Sequence, residues 1–261
     1  MLLRPESKEI DRRARLHAPP VEDLSQPPRD RIRNFDEVLL PWTGDMVTQE
    51  ASRCLHCPGR PCVTACPLGS DIPLALWLAE HGDMDGAAGV FFGTNNFTEV
   101  CGRLCRQSEQ CEGACPHIKE GLPPVAIGRI ETYLADRLSE KPRRAVGSTG
   151  AGDSAGTGRK VAVVGAGPAG LTVAELLAEP GHSVTVFDQW ADGGGVLRYR
   201  IPRFKLDHGL VRERLKRLRG MGVEFVFNTR IGDGLGIDTL QGGPFDAVFL
   251  GTGSWIERES G

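Results

Sequence analysis

The sequence predicts a multidomain protein, in which an all-helical domain that holds every cysteine is followed by an α/β domain with a parallel sheet. Two observations predict this division. All eight cysteines of the 261-residue chain lie between positions 54 and 115, in a region of helical patterns. After position 159, short apolar, β-branched runs alternate with helical patterns, which is typical of a doubly wound sheet.

Composition limits the possible functions. The chain has 31 Lys and Arg against 34 Asp and Glu, a net charge of −3, so nucleic acid is not expected as a partner. Its N-terminus turns polar at once, and no run approaches the ~18–20 apolar residues that span a membrane. We therefore expect a soluble, cytoplasmic protein without membrane attachment. In that reducing compartment, clustered cysteines favour metal sites over disulfides.

Four regions follow in order along the chain. Residues 1–40 are rich in proline and mixed charge, which predicts an extended N-terminal arm that packs against other parts of the protein. Residues 41–144 form the predicted helical domain, with one helix at 72–80 that carries proline in its first turn and another at 125–138. Residues 145–158 are Gly-, Ser- and Ala-rich and predict a flexible linker at a domain boundary.

The cysteines fall into two quartets that each end in Cys-x3-Cys-Pro, the ending of the bacterial ferredoxin motif, whose last cysteine ligates a second cluster. The quartets are Cys54, Cys57, Cys62 and Cys66, then Cys101, Cys105, Cys111 and Cys115. Structural zinc sites favour paired Cys-x2-Cys spacing, and only Cys54 and Cys57 have it. The pattern therefore favours two iron–sulfur clusters over zinc. His56 and His117 are interpreted as solvated or as neighbours of ligands.

The fourth region, residues 159–261, has strands predicted at 160–164, 183–187, 223–227 and 246–250 and helices at 171–179 and 206–221. The arginines at 212–219 are interpreted as the solvated face of the second helix. A glycine-rich motif follows the first strand and opens the first helix; its residues are Gly165, Ala166, Gly167, Pro168, Ala169 and Gly170.

This G-x-G-x-x-G motif lies in the context that a Rossmann-like dinucleotide site requires. Gly165 would make the tight turn, Gly167 would admit the pyrophosphate, and Gly170 would let the helix pack on the strand. Asp188 ends the next strand and would accept a hydrogen bond from the adenosine ribose. The glycine-rich segments 193–195 and 251–253 predict either further cofactor contacts or plain turns.

These motifs together resemble the small (β) subunit family of NADPH-dependent glutamate synthase and the matching N-terminal half of dihydropyrimidine dehydrogenase. The resemblance covers nearly the whole chain, including the segments 34–38, 50–55, 101–115, 126–131, 194–206 and 245–253. It implies that the second region is a double [4Fe–4S] cluster domain. It also implies that residues 159–261 are an incomplete FAD-binding domain. There FAD would contact Gly194, Gly195 and Leu197 in a flavin-side loop, and also Gly251, Thr252 and Gly253.

The resemblance also implies which residues ligate each of the two clusters. Cys54, Cys57, Cys62 and Cys115 would hold one cluster. Cys66, Cys105 and Cys111 would hold the other, with Glu131 as its fourth ligand and Cys101 as a spare buried thiol. Counting thiolates alone gives the alternative, in which Cys101 replaces Glu131. The family usually has glycine in place of Arg200, so we expect a disturbed flavin site if that glycine serves close flavin approach or positive φ.

The function implied is electron transfer from NAD(P)H-reduced FAD through two [4Fe–4S] clusters to a larger flavoenzyme subunit of the glutamate synthase type. No catalytic acid or base is expected in this chain. In the family an NADPH-binding domain follows, and no second G-x-G-x-x-G follows a strand here. We therefore expect a chain that is truncated before that domain and inactive with NADPH by itself. The alternatives are a non-catalytic iron–sulfur relay module and a zinc-stapled nucleotide-binding protein.

Overall fold

The protein is described here by a computed structural model of residues 10–139 and 158–254. The chain divides into two units, Met1–Gly147 and Ser148–Gly261, and each is considered by itself. The first nine residues of the predicted arm lie outside the described residues, as does nearly all of the predicted linker at 145–158. No helix in the described ranges has the length and hydropathy needed to cross a bilayer.

The first unit is helical, as predicted. Its helices are α1 (Arg12–His17), α2 (Pro28–Arg31), α3 (Gly44–Ala51), α4 (Pro61–Ala65), α5 (Ile72–Glu80), α6 (Met84–Thr94), α7 (Thr98–Leu104) and α8 (Ile127–Ser139), with 3-10 helices at Gln107–Glu109 and Pro116–Glu120. Helix α5 has the predicted bounds, because Asp71 caps its first turn and Pro73 lies where no N–H is needed. The core lies between α3, α5, α6 and α8.

The arm is not wholly extended, because it contains the short helices α1 and α2. The side chain of Asp11 caps α1 by accepting a hydrogen bond from the backbone N–H of Ala14 at 3.0 Å. Arg15 then attaches this helix to the helical unit: its guanidinium lies 2.6 Å from a carboxylate oxygen of Glu80 and donates to the carbonyl of Ser52 at 2.8 Å. The expected packing of the arm against the rest of the unit is therefore present.

A buried ion pair joins three segments of this unit. Glu50 and Arg53 are 0% and 1% exposed, and a nitrogen of Arg53 lies 2.5 Å from an oxygen of Glu50. The carboxylate of Glu50 also accepts hydrogen bonds from the backbone N–H groups of Val21 and Ala126. Arg53 donates to the carbonyl of Pro123 at 2.6 Å. The pair therefore fixes the arm and the segment before α8 onto α3.

The second unit contains a parallel four-stranded sheet of order β3-β2-β1-β4. Its elements are β1 (Lys160–Val164), α9 (Pro168–Ala178), β2 (Ser183–Phe187), α10 (Val196–Tyr199), α11 (His208–Gly220), β3 (Glu224–Val226), α12 (Ile237–Gln241) and β4 (Ala247–Leu250). The predicted α/β class is confirmed, and β1 and β2 have the predicted bounds. The loop segment 194–206 contains one unpredicted helical turn, α10.

Helix α11 differs from its predicted role, since its arginines are not all solvated. Arg214 is 2% exposed and pairs with Glu175 of α9. The other oxygen of Glu175 accepts a hydrogen bond from Arg217 at 2.9 Å. Sequence alone misread this helix because a buried arginine with a partner on another helix has the same pattern as a solvated one.

Candidate metal and dinucleotide sites

Four cysteines of the first unit line one pocket. They are Cys54, Cys57 and Cys62 of the first quartet and Cys115 of the second. The remaining wall is mainly apolar, with Leu55, Pro73 and Val125 among its residues. All eight cysteines are free thiols, so the pocket walls carry four soft donors without a disulfide. The grouping across the two quartets is the one that the family resemblance implies.

The loop between these cysteines has an uncommon backbone. His56 and Arg60 both have φ of +46°, in the left-handed region that residues with a Cβ rarely occupy. Helix α4 begins directly after Arg60, at Pro61, and its first turn carries Cys62. The strained loop therefore turns Cys57 and Cys62 toward the same pocket, and such outliers concentrate at functional sites.

Burial controls the charge of these thiols. It raises the pKa of Cys54 to about 12 and that of Cys62 to about 11, with smaller contributions from the neighbouring thiols. Without a metal, the thiols of Cys54 and Cys62 therefore hold their protons at neutral pH. A metal ligand must be a thiolate, so metal binding here releases protons.

A second group forms around the end of α7. Burial, together with the nearby charges of Glu112, Glu131 and Cys66, raises the pKa of Cys111 to about 12. A hydrogen bond from the thiol of Cys101 lowers the pKa of Cys105, and burial opposes that change. Burial also raises the pKa of Glu131 well above its usual range. Cys105 therefore lies within electrostatic reach of Cys66, Cys101, Cys111 and Glu131.

Close packing of α7 on α8 places this second group. A Cβ added to Gly102 would lie 2.7 Å from the backbone nitrogen of Thr132, so the two helices approach at a glycine. Gly128 forms the facing surface, and its N–H donates to the carboxylate of Glu112 at 2.9 Å. This approach brings Glu131 of α8 toward the cysteines of α7.

The two histidines near the cysteines differ in environment. His117, interpreted as solvated or as a ligand's neighbour, is completely buried, with Nδ1 at 3.4 Å from Sγ of Cys115. Burial and the charge of Arg53 lower the pKa of His117. His56 packs edge-on against Trp77, with 5.4 Å between ring centroids.

Within residues 10–139 and 158–254, no three His, Cys, Asp or Glu side chains are grouped so that they could hold one metal ion.

The glycine-rich motif lies at the carboxyl edge of the sheet, where ligands bind in such folds. Gly165 has φ of +103°, and a Cβ there would lie 2.3 Å from the carbonyl oxygen of Gly251. A Cβ at Gly170 would lie 1.8 Å from the carbonyl oxygen of Gly165. Gly167 caps α9, whose first turn holds Pro168 and Ala169. Gly165 and Gly170 are therefore required by the close approach of backbone to backbone, whereas a Cβ at Gly167 would meet only Cα of Gly195, at 3.9 Å.

Asp188 fixes this turn to the end of β2. Its carboxylate accepts the N–H of Ala166 at 2.6 Å and that of Trp190 at 2.9 Å. Asp188 is 8% exposed. A carboxylate has lone pairs beyond these two bonds, so the predicted ribose contact is compatible with this structural role, which the sequence did not indicate.

The other predicted cofactor contacts reach the same edge. The N–H of Gly194 donates to the carbonyl of Ala166 at 2.7 Å, and a Cβ at Gly195 would lie 2.7 Å from Cα of Gly167. Thr252 and Gly253 are exposed beyond β4. Leu197 is buried, at 4% exposure, on α10.

Arg200 does not strain the backbone of this loop. Its φ is −129°, so the backbone at this position does not need glycine. The expected strain at this departure from the family pattern is absent, and the arginine side chain is exposed.

Comparison with known families agrees with this division of the chain. Residues 31–143 match the family described as dihydropyrimidine dehydrogenase domain II, 4Fe-4S cluster. Residues 163–211 match the NAD(P)-binding Rossmann-like domain. The first match assigns an iron–sulfur domain to the helical unit, and the second assigns a dinucleotide-binding fold to the sheet unit.

Similarity to known proteins over most of this chain shows which proteins it is related to. The NADPH glutamate synthase small chain of Escherichia coli strain K12 is 37% identical over 244 residues, which are 92% of this chain and 50% of the relative. The chain is a homologue of glutamate synthase small chains. The small chain of Halomonas elongata is 37% identical over 236 residues, 90% of this chain and 49% of the relative.

Not all relatives of this chain carry the glutamate synthase name. The E. coli protein AegA, whose oxidoreductase assignment is provisional, is 38% identical over 88% of this chain. This chain spans about half the length of the small chains it matches and 34% of AegA. It is therefore an oxidoreductase homologue that contains an iron–sulfur domain and a Rossmann-like segment.

Proposed function

We propose that the chain is an electron-transfer component that holds two [4Fe–4S] clusters and FAD and passes electrons to a partner protein. One observation carries this proposal: a pocket lined by Cys54, Cys57, Cys62 and Cys115, which unites cysteines from both quartets. Its mainly apolar wall limits solvent access, which is one of the factors that set cluster potentials. The zinc alternative is less well supported, because the matching family is an iron–sulfur family.

The second cluster would be held by Cys66, Cys105, Cys111 and Glu131. The close approach of α7 and α8 at Gly102 supports this choice, because it brings Glu131 toward the cysteines of α7. In the alternative, Cys101 takes the place of Glu131. Iron–sulfur clusters supply one-electron transfer, and the protein sets their potentials through ligands, hydrogen bonds and burial.

The sheet unit would bind FAD at its carboxyl edge. Free N–H groups at the start of α9 favour the pyrophosphate, and Gly167 leaves room for it to approach the backbone. Asp188 would receive the ribose hydroxyls, while Gly194, Gly195 and Leu197 would form the flavin-side loop. FAD accepts a hydride and releases single electrons. The residues of this chain contribute binding and orientation rather than acid–base catalysis.

The partner we propose is a larger flavoenzyme subunit of the glutamate synthase type, since the relatives bear the name of that enzyme's small chain. The electrons would come from NADPH, which the names of these relatives include. Neither nucleic acid nor a membrane has a role in the proposal. Thiolate-ligated clusters agree with a cytoplasmic location, where thiols stay reduced.

An anaerobic absorbance titration of the iron-reconstituted, FAD-loaded chain tests this function. We expect dithionite to bleach both the iron–sulfur and the flavin absorbance, and NADPH alone to bleach neither. Bleaching by NADPH would contradict the expectation that this chain is inactive with NADPH by itself. Iron–sulfur absorbance without any retained FAD would instead favour the non-catalytic relay module.

A further inference from the structure

His117 lies against the one cysteine that the second quartet contributes to the first pocket. The imidazole is completely buried, and its Nδ1 lies 3.4 Å from Sγ of Cys115. Nδ1 of this ring is therefore directed at the sulfur of Cys115.

The chemistry of the sulfur fixes the position of the proton. A cysteine that ligates iron is a thiolate, which accepts hydrogen bonds and has none to donate. If the neutral ring carried its proton on Nε2, a lone pair on Nδ1 would face the negatively charged sulfur. A proton on Nδ1 replaces this repulsion with a hydrogen bond, and a positively charged ring also carries that proton.

We propose that His117 is a positioning residue that donates a hydrogen bond from Nδ1 to Sγ of Cys115 and thereby raises the reduction potential of the cluster in the first pocket. The proposal rests on the proposed function, because it requires a cluster there. When the cluster takes up one electron from a reductant, negative charge on its sulfurs increases. An N–H directed at one of these sulfurs stabilises the reduced form more than the oxidised form.

The test compares variants in which an amide group replaces one or the other ring nitrogen, or in which the donor is removed. His117→Asn puts its NH₂ group near the position of Nδ1, whereas His117→Gln puts it near Nε2, and His117→Leu has no donor. Each full-length chain is reconstituted with iron and sulfide and titrated with dithionite, and the reduced clusters are followed by electron paramagnetic resonance. The potential is read from the loaded fraction, so partial loading does not obscure the result.

We expect the Gln and Leu variants to disfavour reduction of one cluster about threefold or more, a shift of about 28 mV or more toward negative potential at 59 mV per tenfold. The Asn variant should keep the wild-type potential. The second cluster, held by other cysteines, serves as the internal control and should not change. Unchanged potentials in both the Gln and Leu variants, or equal shifts of both clusters, would overturn the proposal. A wild-type chain without any cluster signal would instead overturn the proposed function.

Discussion

Replacement of Gly170 by alanine should abolish dinucleotide binding and destabilise the sheet unit by more than about 3 kcal/mol, the upper end of ordinary overpacking. The added Cβ would lie 1.8 Å from the carbonyl oxygen of Gly165 and 3.2 Å from a methyl group of Val163. Neither the tight turn nor β1 can shift to relieve this overlap, because Gly165 is itself tightly packed against Gly251. Helix α9 must therefore move, and its N-terminus moves away from the phosphates.

The measurement is retention of FAD by flavin fluorescence, together with denaturant unfolding of the whole chain. We expect FAD affinity to fall on the order of a hundredfold, equivalent to about 2.8 kcal/mol. Gly220→Ala is the matched control, since a Cβ at Gly220 meets no atom within 4 Å. A Gly170→Ala chain that binds FAD like the control would contradict the assignment of this turn as the pyrophosphate site.

Replacement of Arg53 by methionine should destabilise the helical unit by about 3–5 kcal/mol, because it leaves the carboxylate of Glu50 buried without its partner. The guanidinium also satisfies the carbonyls of Ala18, Pro123 and Pro124, which would lose their donor. Since Val125 follows these prolines and lines the first cysteine pocket, iron retention should fall as well.

Denaturant unfolding and iron analysis of the same sample measure both effects. Arg137→Met is the control, because its pair with Asp85 is exposed to solvent and should contribute nothing measurable. Replacing Glu50 and Arg53 together by leucine and methionine should cost less than the sum of the single changes. An Arg53→Met chain as stable as the control would show that this pair does not fix the arm and the pocket segment.

Local signals predicted most of the fold. Helix α5 and strands β1 and β2 were predicted to the residue, because capping, proline position and β-branched runs act within a few residues. The site was predicted less completely, since burial is decided by distant segments. Arg53 and Glu50 have the spacing of an ordinary surface pair, but in the fold the arm and residues 123–126 contact them and they are buried.

The same limit applies to the site residues. Cysteine spacing predicted two iron–sulfur clusters, but only the family resemblance assigned Cys115 to the first group. His117 has no local signal, because its role depends on the orientation of one ring nitrogen toward Cys115. The helical turn α10 was missed because it lasts four residues, too few for a periodic pattern to appear.

The central claim is that this chain holds two [4Fe–4S] clusters, and iron and acid-labile sulfide per chain after anaerobic reconstitution test it most directly. We expect about eight of each in the wild type and in Cys101→Ser, and about four in Cys115→Ser, since a cluster contains four of each. A Glu131→Gln chain should load its second cluster poorly. A wild-type chain with zinc in place of iron, or with no sulfide, would contradict the claim.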